Sequence, residues 1–155
     1  MEANNLSKYL TGGFWYEFGK YIVRFEEPTY VGFGHNLDFW ATIKPFDRLR
    51  NDINYSYSEL SKTAGGEKLY AGYVLSDKIS YQFTKNFFLR ILLQYDLFNR
   101  NFTIDPLLSY KWNPYTILFL GSSHGINEIS DDNGFSKFTE TDRQIFLKFQ
   151  YLLSL

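Results

Sequence analysis

Cysteine is absent from the 155 residues. That removes disulfides, thiolate metal sites and thiol nucleophiles together, and leaves the redox compartment open. Long apolar runs are absent too: 45% of the residues are hydrophobic, yet the mean hydropathy is −0.30 and no run approaches the roughly 18 to 20 residues a membrane helix needs. A helical membrane protein is thereby excluded. There is no excess of either charge, with 16 Lys and Arg against 17 Asp and Glu, which argues against a nucleic-acid scaffold. Residues 1–8 lack the basic start and apolar core of a secretion signal. Either such a leader was removed, or the chain is a fragment of a longer precursor.

What the chain has in quantity is aromatic. The 21% share, with 16 Phe and 13 Tyr, favours pleated, half-buried β-structure. Successive side chains of a strand point to opposite faces, so alternation separates an oily surface from a wetter one. Residues 143–155 alternate in this way, setting Ile145, Leu147, Phe149, Tyr151 and Leu153 against Gln144, Phe146, Lys148, Gln150, Leu152 and Ser154. Residues 86–98 repeat the pattern with Phe87, Leu89, Ile91, Leu93, Tyr95 and Leu97, and residues 68–84 with Leu69, Tyr73, Leu75, Ile79, Tyr81 and Phe83. Asp77 is the misfit on that apolar register, and is expected near a rim or beside a bulge. Further strands are expected over 49–58, 31–44, 103–112, 115–124 and, with drifting parity around Gly19, 14–25.

That makes about eight strands, enough for one small barrel domain over 1–155. The connections around 44–48, 84–86 and 112–115 are tight, those around 26–29, 64–68 and 99–102 are intermediate, and 125–139 reads as one long polar loop. With the C-terminus on the periplasmic side, every tight turn falls on that side and every longer loop outside, as membrane barrels arrange them. Phe83, Phe87, Trp112, Tyr115 and Tyr151 flank the short-turn side as an aromatic girdle. The polar face gathers Arg48, Arg50, Asp52, Lys78, Arg90, Asp96, Lys111 and Lys148, expected to face the lumen. In a barrel of about eight strands these charges pair with one another inside a filled interior; in a larger one they line a pore.

Chemistry-bearing motifs are few. His35 and His124 are the only histidines and lie in no metal-ligand spacing; a pairing of His35 with Asp38 is weaker than a polar strand position. Asp131-Asp132-Asn133-Gly134 lacks the full calcium-loop spacing and reads as a solvated tip. Gly121-Ser122-Ser123-His124 is no nucleophile elbow, lacking glycine at both flanking offsets. Gly32 and Gly34 form a lone GxG inside a strand, which relieves crowding or permits curvature rather than cradling phosphate. Phe102, Phe135 and Phe138 either stack on sugars or pin the loops.

Three phrases carry a family likeness: Tyr16-Glu17-Phe18-Gly19-Lys20-Tyr21, the run Asp105-Pro106-Leu107-Leu108-Ser109-Tyr110-Lys111-Trp112-Asn113-Pro114, and Phe138-Thr139-Glu140-Thr141-Asp142-Arg143-Gln144-Ile145-Phe146-Leu147-Lys148-Phe149-Gln150-Tyr151. They resemble the C-terminal end of the outer-membrane family filed as domain of unknown function 5916. Its longer members look like a carbohydrate-binding family 9 type module followed by a large barrel. The resemblance covers nearly the whole chain, implies architecture more than activity, and carries over no catalytic residue. It also implies that this chain is the terminal portion of a bigger barrel, since the N-terminal module and earlier strands are missing.

The expectation is therefore an all-β, antiparallel up-and-down transmembrane β-barrel of about eight strands, or the C-terminal part of a larger one, in a Gram-negative outer membrane. It is expected to be structural or transport-type, non-enzymatic and without cofactor or metal. Its expected partners are outer-membrane lipid, glycans at the outer loops by family resemblance, and the barrel-insertion machinery through the C-terminal strand. Two alternatives stay open: a soluble β-barrel with the alternation inverted around a small apolar ligand, and an outer-membrane hydrolase built on a serine or aspartate beside a histidine.

Overall fold

The computed structural model describes residues 7–130 and 136–153. They form eight strands and no helix: β1 (Leu10–Val23), β2 (Tyr30–Phe46), β3 (Leu49–Ser61), β4 (Lys68–Gln82), β5 (Phe87–Asp96), β6 (Asn101–Asn113), β7 (Thr116–Ser130) and β8 (Ser136–Tyr151). Each is antiparallel to its chain neighbour in one sheet ordered β1 to β8. The expected strands are all present; β2, β3 and β6 run beyond the expected bounds, β4 and β5 stop short of them, β1 is displaced toward the N-terminus, and β7 and β8 extend into the expected loop. Two-residue alternation fixes their pairing, because a one-residue slip would carry every apolar side chain to the other face.

The sheet does not close. β1 pairs with β2 alone and β8 with β7 alone, so the expected closed eight-stranded barrel is corrected to an open sheet. Bulk gives a physical reason. The interior of an eight-stranded barrel is just wide enough for its own side chains, whereas the polar face here carries Trp15, Trp40, Phe88, Phe119 and Phe146 beside its charges.

Two further expectations change. The segment 125–139 is mostly hairpin rather than loop, with Gly125 to Ser130 of β7 paired to β8. Its polarity on both faces masked a ladder that needs only backbone partners. Asp131-Asp132-Asn133-Gly134, Phe135 and Ser154 lie outside the described residues. Asp77 sits in regular pairing between Ile53 and Leu93, in mid-strand rather than at a rim or bulge. The contrast between turn lengths is milder than the sequence implied: 47–48, 83–86 and 114–115 at one end, 24–29, 62–67 and 97–100 at the other.

Almost nothing in this sheet is a core. Among the described residues the buried apolar side chains are Val23, Ala41 and Leu60. The accessible surface of 11505 Å² is about 40% above the roughly 8,100 Å² expected of a folded 18.3 kDa monomer. The one packed corner surrounds Gly32, where an added Cβ would lie 2.7 Å from the Ser61 carbonyl oxygen and 3.0 Å from Val23. Gly34 is similarly crowded by the Tyr21 ring at 2.7 Å, so the GxG pair relieves crowding, as its place in a strand implies. Gly19 has nothing within 4 Å of its would-be Cβ. Gly32→Ala should therefore lower unfolding stability by about 1–3 kcal/mol through forced backbone movement, whereas Gly19→Ala should leave it unchanged or slightly raised. Denaturant midpoints of the two variants decide the point.

Candidate functional site

The chain's working surfaces are the two faces of the sheet, and cross-strand register assigns every residue to one of them. The apolar face runs without a break through Phe14, Phe39, Tyr55, Leu75, Tyr95 and Phe102 in one row of directly opposed residues. A second row joins Leu49, Tyr81, Leu89, Leu108, Leu120 and Leu147. Large side chains on this face are exposed or half-buried, and most open on the edge strand, Ile145 and Leu147 at 73% and 75% exposure. Asn51 and Asp77 are polar residues on a diagonal of this face, each with a buried side-chain oxygen that has no hydrogen-bond partner.

The opposite face is polar and organised. Asp52, 8% exposed, is its hub. Its carboxylate accepts hydrogen bonds from Thr42 Oγ1 at 2.7 Å and from Arg50 Nε at 2.9 Å and 3.0 Å, and pairs with Lys78 Nζ at 3.3 Å. Nearby, Glu17 accepts from Tyr21 and Asn36, and Asn36 accepts from Ser58. Ser56 donates to Asp38, and Ser123 to Asp105. These partners were missed in the sequence, although the alternation of Asp38 and Asp105 with apolar neighbours was the available signal.

This polar face holds a cavity. Arg50, Ser80, Arg90, Leu107 and Phe119, from five successive strands, line its volume of about 480 Å³. Of the charges expected to face a lumen, Arg48 and Lys111 border the same cavity, and Lys148 lies 5.8 Å over the Phe119 ring. Asp96 shares the face by register, but its carboxylate caps the following turn, accepting from the Phe98 and Asn99 amides at 2.8 Å and 3.3 Å. At the loop end, Glu67 holds the Lys62 ammonium above the usual lysine range through a 2.8 Å contact.

Phe83, Phe87, Trp112, Tyr115 and Tyr151 all sit at the tight-turn end. Phe83 stacks on Phe87 at 5.0 Å and meets Tyr81 edge-on at 4.7 Å, while Trp112 meets Tyr110 edge-on. Phe46, edge-on to Tyr81, joins this group and was not foreseen.

The histidines both lie on the apolar face, toward its loop end. His35 is flanked by Phe18 and Phe33, with Nδ1 2.7 Å from the Tyr16 hydroxyl. Opposite parity puts Asp38 on the other face, so the pairing with His35 does not form. No group of three metal-ligating side chains occurs among the described residues. His124 contacts Ser122 Oγ at 3.1 Å through Nε2 and Glu140 Oε1 at 3.0 Å through Nδ1.

No family model, curated protein or solved structure matches this chain.

The polar hub is the most heavily bonded side chain of the sheet, and removing its charge should be felt. Asp52→Asn leaves Arg50 and Lys78 without their shared counter-ion, and is expected to cost about 1–3 kcal/mol of stability. Ser76→Ala, one row away, should cost far less. Equilibrium unfolding of both variants in the same detergent makes the comparison.

Proposed function

We propose that this chain is a wall of an outer-membrane β-barrel, structural or transport-type, and the C-terminal part of a barrel larger than eight strands. One observation carries the reading: a continuous apolar face crosses the sheet with its large side chains exposed or half-buried, while the opposite face, which holds the cavity, is the ion-paired, polar one. In a bilayer every backbone amide must find a partner within the protein, which a strand wall provides everywhere except at its two edges. The free edges of β1 and β8 are where further strands of a larger barrel would join. The strands, 10 to 17 residues long, meet or exceed the roughly 9–11 residues that a tilted membrane strand requires.

The outer-membrane location in a Gram-negative cell, lipid contact, glycan contact through exposed outer residues such as Phe138, and recognition of the C-terminal strand by insertion machinery belong to this proposal. So does the likeness to domain of unknown function 5916. Residues of the polar face, with Arg48, Arg90 and Lys111 among them, would then border the lumen. The soluble alternative needs the apolar face turned inward onto a ligand, and the place of the largest described cavity, on the polar face, counts against it.

The cysteine-free sequence makes the test direct, since any introduced thiol is unique. Spin labels on Leu93→Cys and Gln94→Cys, adjacent on β5, should report opposite surroundings in lipid vesicles. The label at 93 should collide with dissolved oxygen, and the one at 94 with a water-soluble nickel chelate. Reversed accessibility, or a monodisperse protein that needs no detergent, would sink the membrane reading. Asp77→Leu gives a second check. In hydrocarbon, replacing a half-buried carboxylate that has one buried, unpartnered oxygen by an apolar side chain should raise stability by about 1–3 kcal/mol; a loss of stability counts against lipid contact.

A further inference from the structure

The β7–β8 ladder carries a bulge between Gly125 and Ile126. On the tight-turn side of it, odd-numbered residues of β8 occupy the apolar face, Ile145 opposite Ser122 and Arg143 opposite His124. Beyond it Glu140 opposes Ile126, so an even-numbered carboxylate joins the same face. Without the extra residue Glu140 would oppose Asn127 and point the other way. Re-aiming one side chain in this manner is a recurrent use of bulges beside active sites.

The outcome is a relay of three side chains. A carboxylate only accepts, so the 3.0 Å contact to Glu140 fixes the proton on His124 Nδ1 and leaves Nε2 to accept from the Ser122 hydroxyl at 3.1 Å. Arg143 holds Glu140 in place through Nε and Nη2, both at 2.8 Å. Beside Ser122 lies an apolar groove of about 250 Å³ lined by Pro106, Leu108, Leu120 and Ile145. The relay stands where the apolar band gives way to charge, with His124 itself opposite Ile104.

We propose that Ser122, His124 and Glu140 form a hydrolytic triad that cleaves the carboxylic ester of an apolar acyl chain seated in this groove. Ser122 Oγ attacks the ester carbonyl as its proton passes to His124 Nε2. The tetrahedral intermediate collapses with that proton delivered to the leaving alcohol, and an acyl-serine remains. Water then attacks, giving its proton to His124, and the carboxylic acid departs as Ser122 is restored; ester and water become acid and alcohol. Glu140 acts as a positioning residue. Arg143 binds Glu140 through Nε and Nη2, and its positive charge beside the relay would favour the developing oxyanion. That the ester belongs to a membrane lipid rests on the outer-membrane reading; the triad does not.

The test uses the full chain in detergent and an alkyl p-nitrophenyl phosphonate, which labels an activated serine and releases nitrophenol. One adduct per chain, mapped to Ser122 by mass, is expected. Ser122→Ala should abolish it, and His124→Gln should slow it at least a hundredfold. Glu140→Gln should slow it about tenfold or more, with Glu140→Asp recovering part of the loss. Ser123→Ala, on the opposite face, should label normally. Hydrolysis of a p-nitrophenyl ester should favour an octanoyl over an acetyl chain. Absence of labelling in the unsubstituted chain, or labelling indifferent to His124, would overturn the triad whatever the spin labels report. Labelling together with a water-exposed apolar face would keep the triad and discard the membrane lipid as substrate.

Discussion

The constraint on which everything else depends is that this is a single layer. Most domains bury one face of a sheet against a second layer; here the backbone ladder runs from β1 to β8, and the described residues form no second layer. Hydrogen bonding between strands satisfies the main chain and leaves the side chains to find their own surroundings. An apolar face this extensive, with Val23, Ala41 and Leu60 as its chain's buried apolar residues, has to be covered from outside. Under the proposed reading a bilayer would cover the exposed rings, and further strands the free edges.

Parity decides almost all of the remaining chemistry. Asp52 reaches Arg50 and Lys78 because all three share one side of the ladder. His35 and Asp38, three positions apart, are separated by the thickness of the sheet. The bulges at Ile43, Leu60, Lys111 and Gly125 are the points where this rule is locally rewritten. The last of them has chemical consequences, since it turns Glu140 toward His124.

Much of this was legible in the order of residues. Alternation located every strand, and the apolar sets of β4, β5 and β8 fell on one face as read. The missing parts share a cause: they depend on contacts that no local pattern encodes. The outer half of the β7–β8 hairpin is polar on both faces, so periodicity could not separate it from a loop. Closure depends on the bulk gathered across eight strands, from Trp15 to Phe146, and not on any one segment. Asp77 was noticed as an oddity, but its regular pairing with Ile53 and Leu93 required the register. The Ser122, His124 and Glu140 constellation hides behind a single inserted residue, which shifts the count from odd to even and makes the spacing uninformative.

Because every strand packs on its predecessor and successor in the chain, the sheet behaves as a row of interchangeable hairpins. Stability in such an array is approximately a sum of neighbouring terms, so a hairpin gained or lost at either margin perturbs only the unit it touches. In the larger barrel proposed above, circumference could thus drift over evolutionary time while the chemistry of a distant hairpin stayed intact. The relay on the final pair of strands would travel unchanged between barrels of different girth.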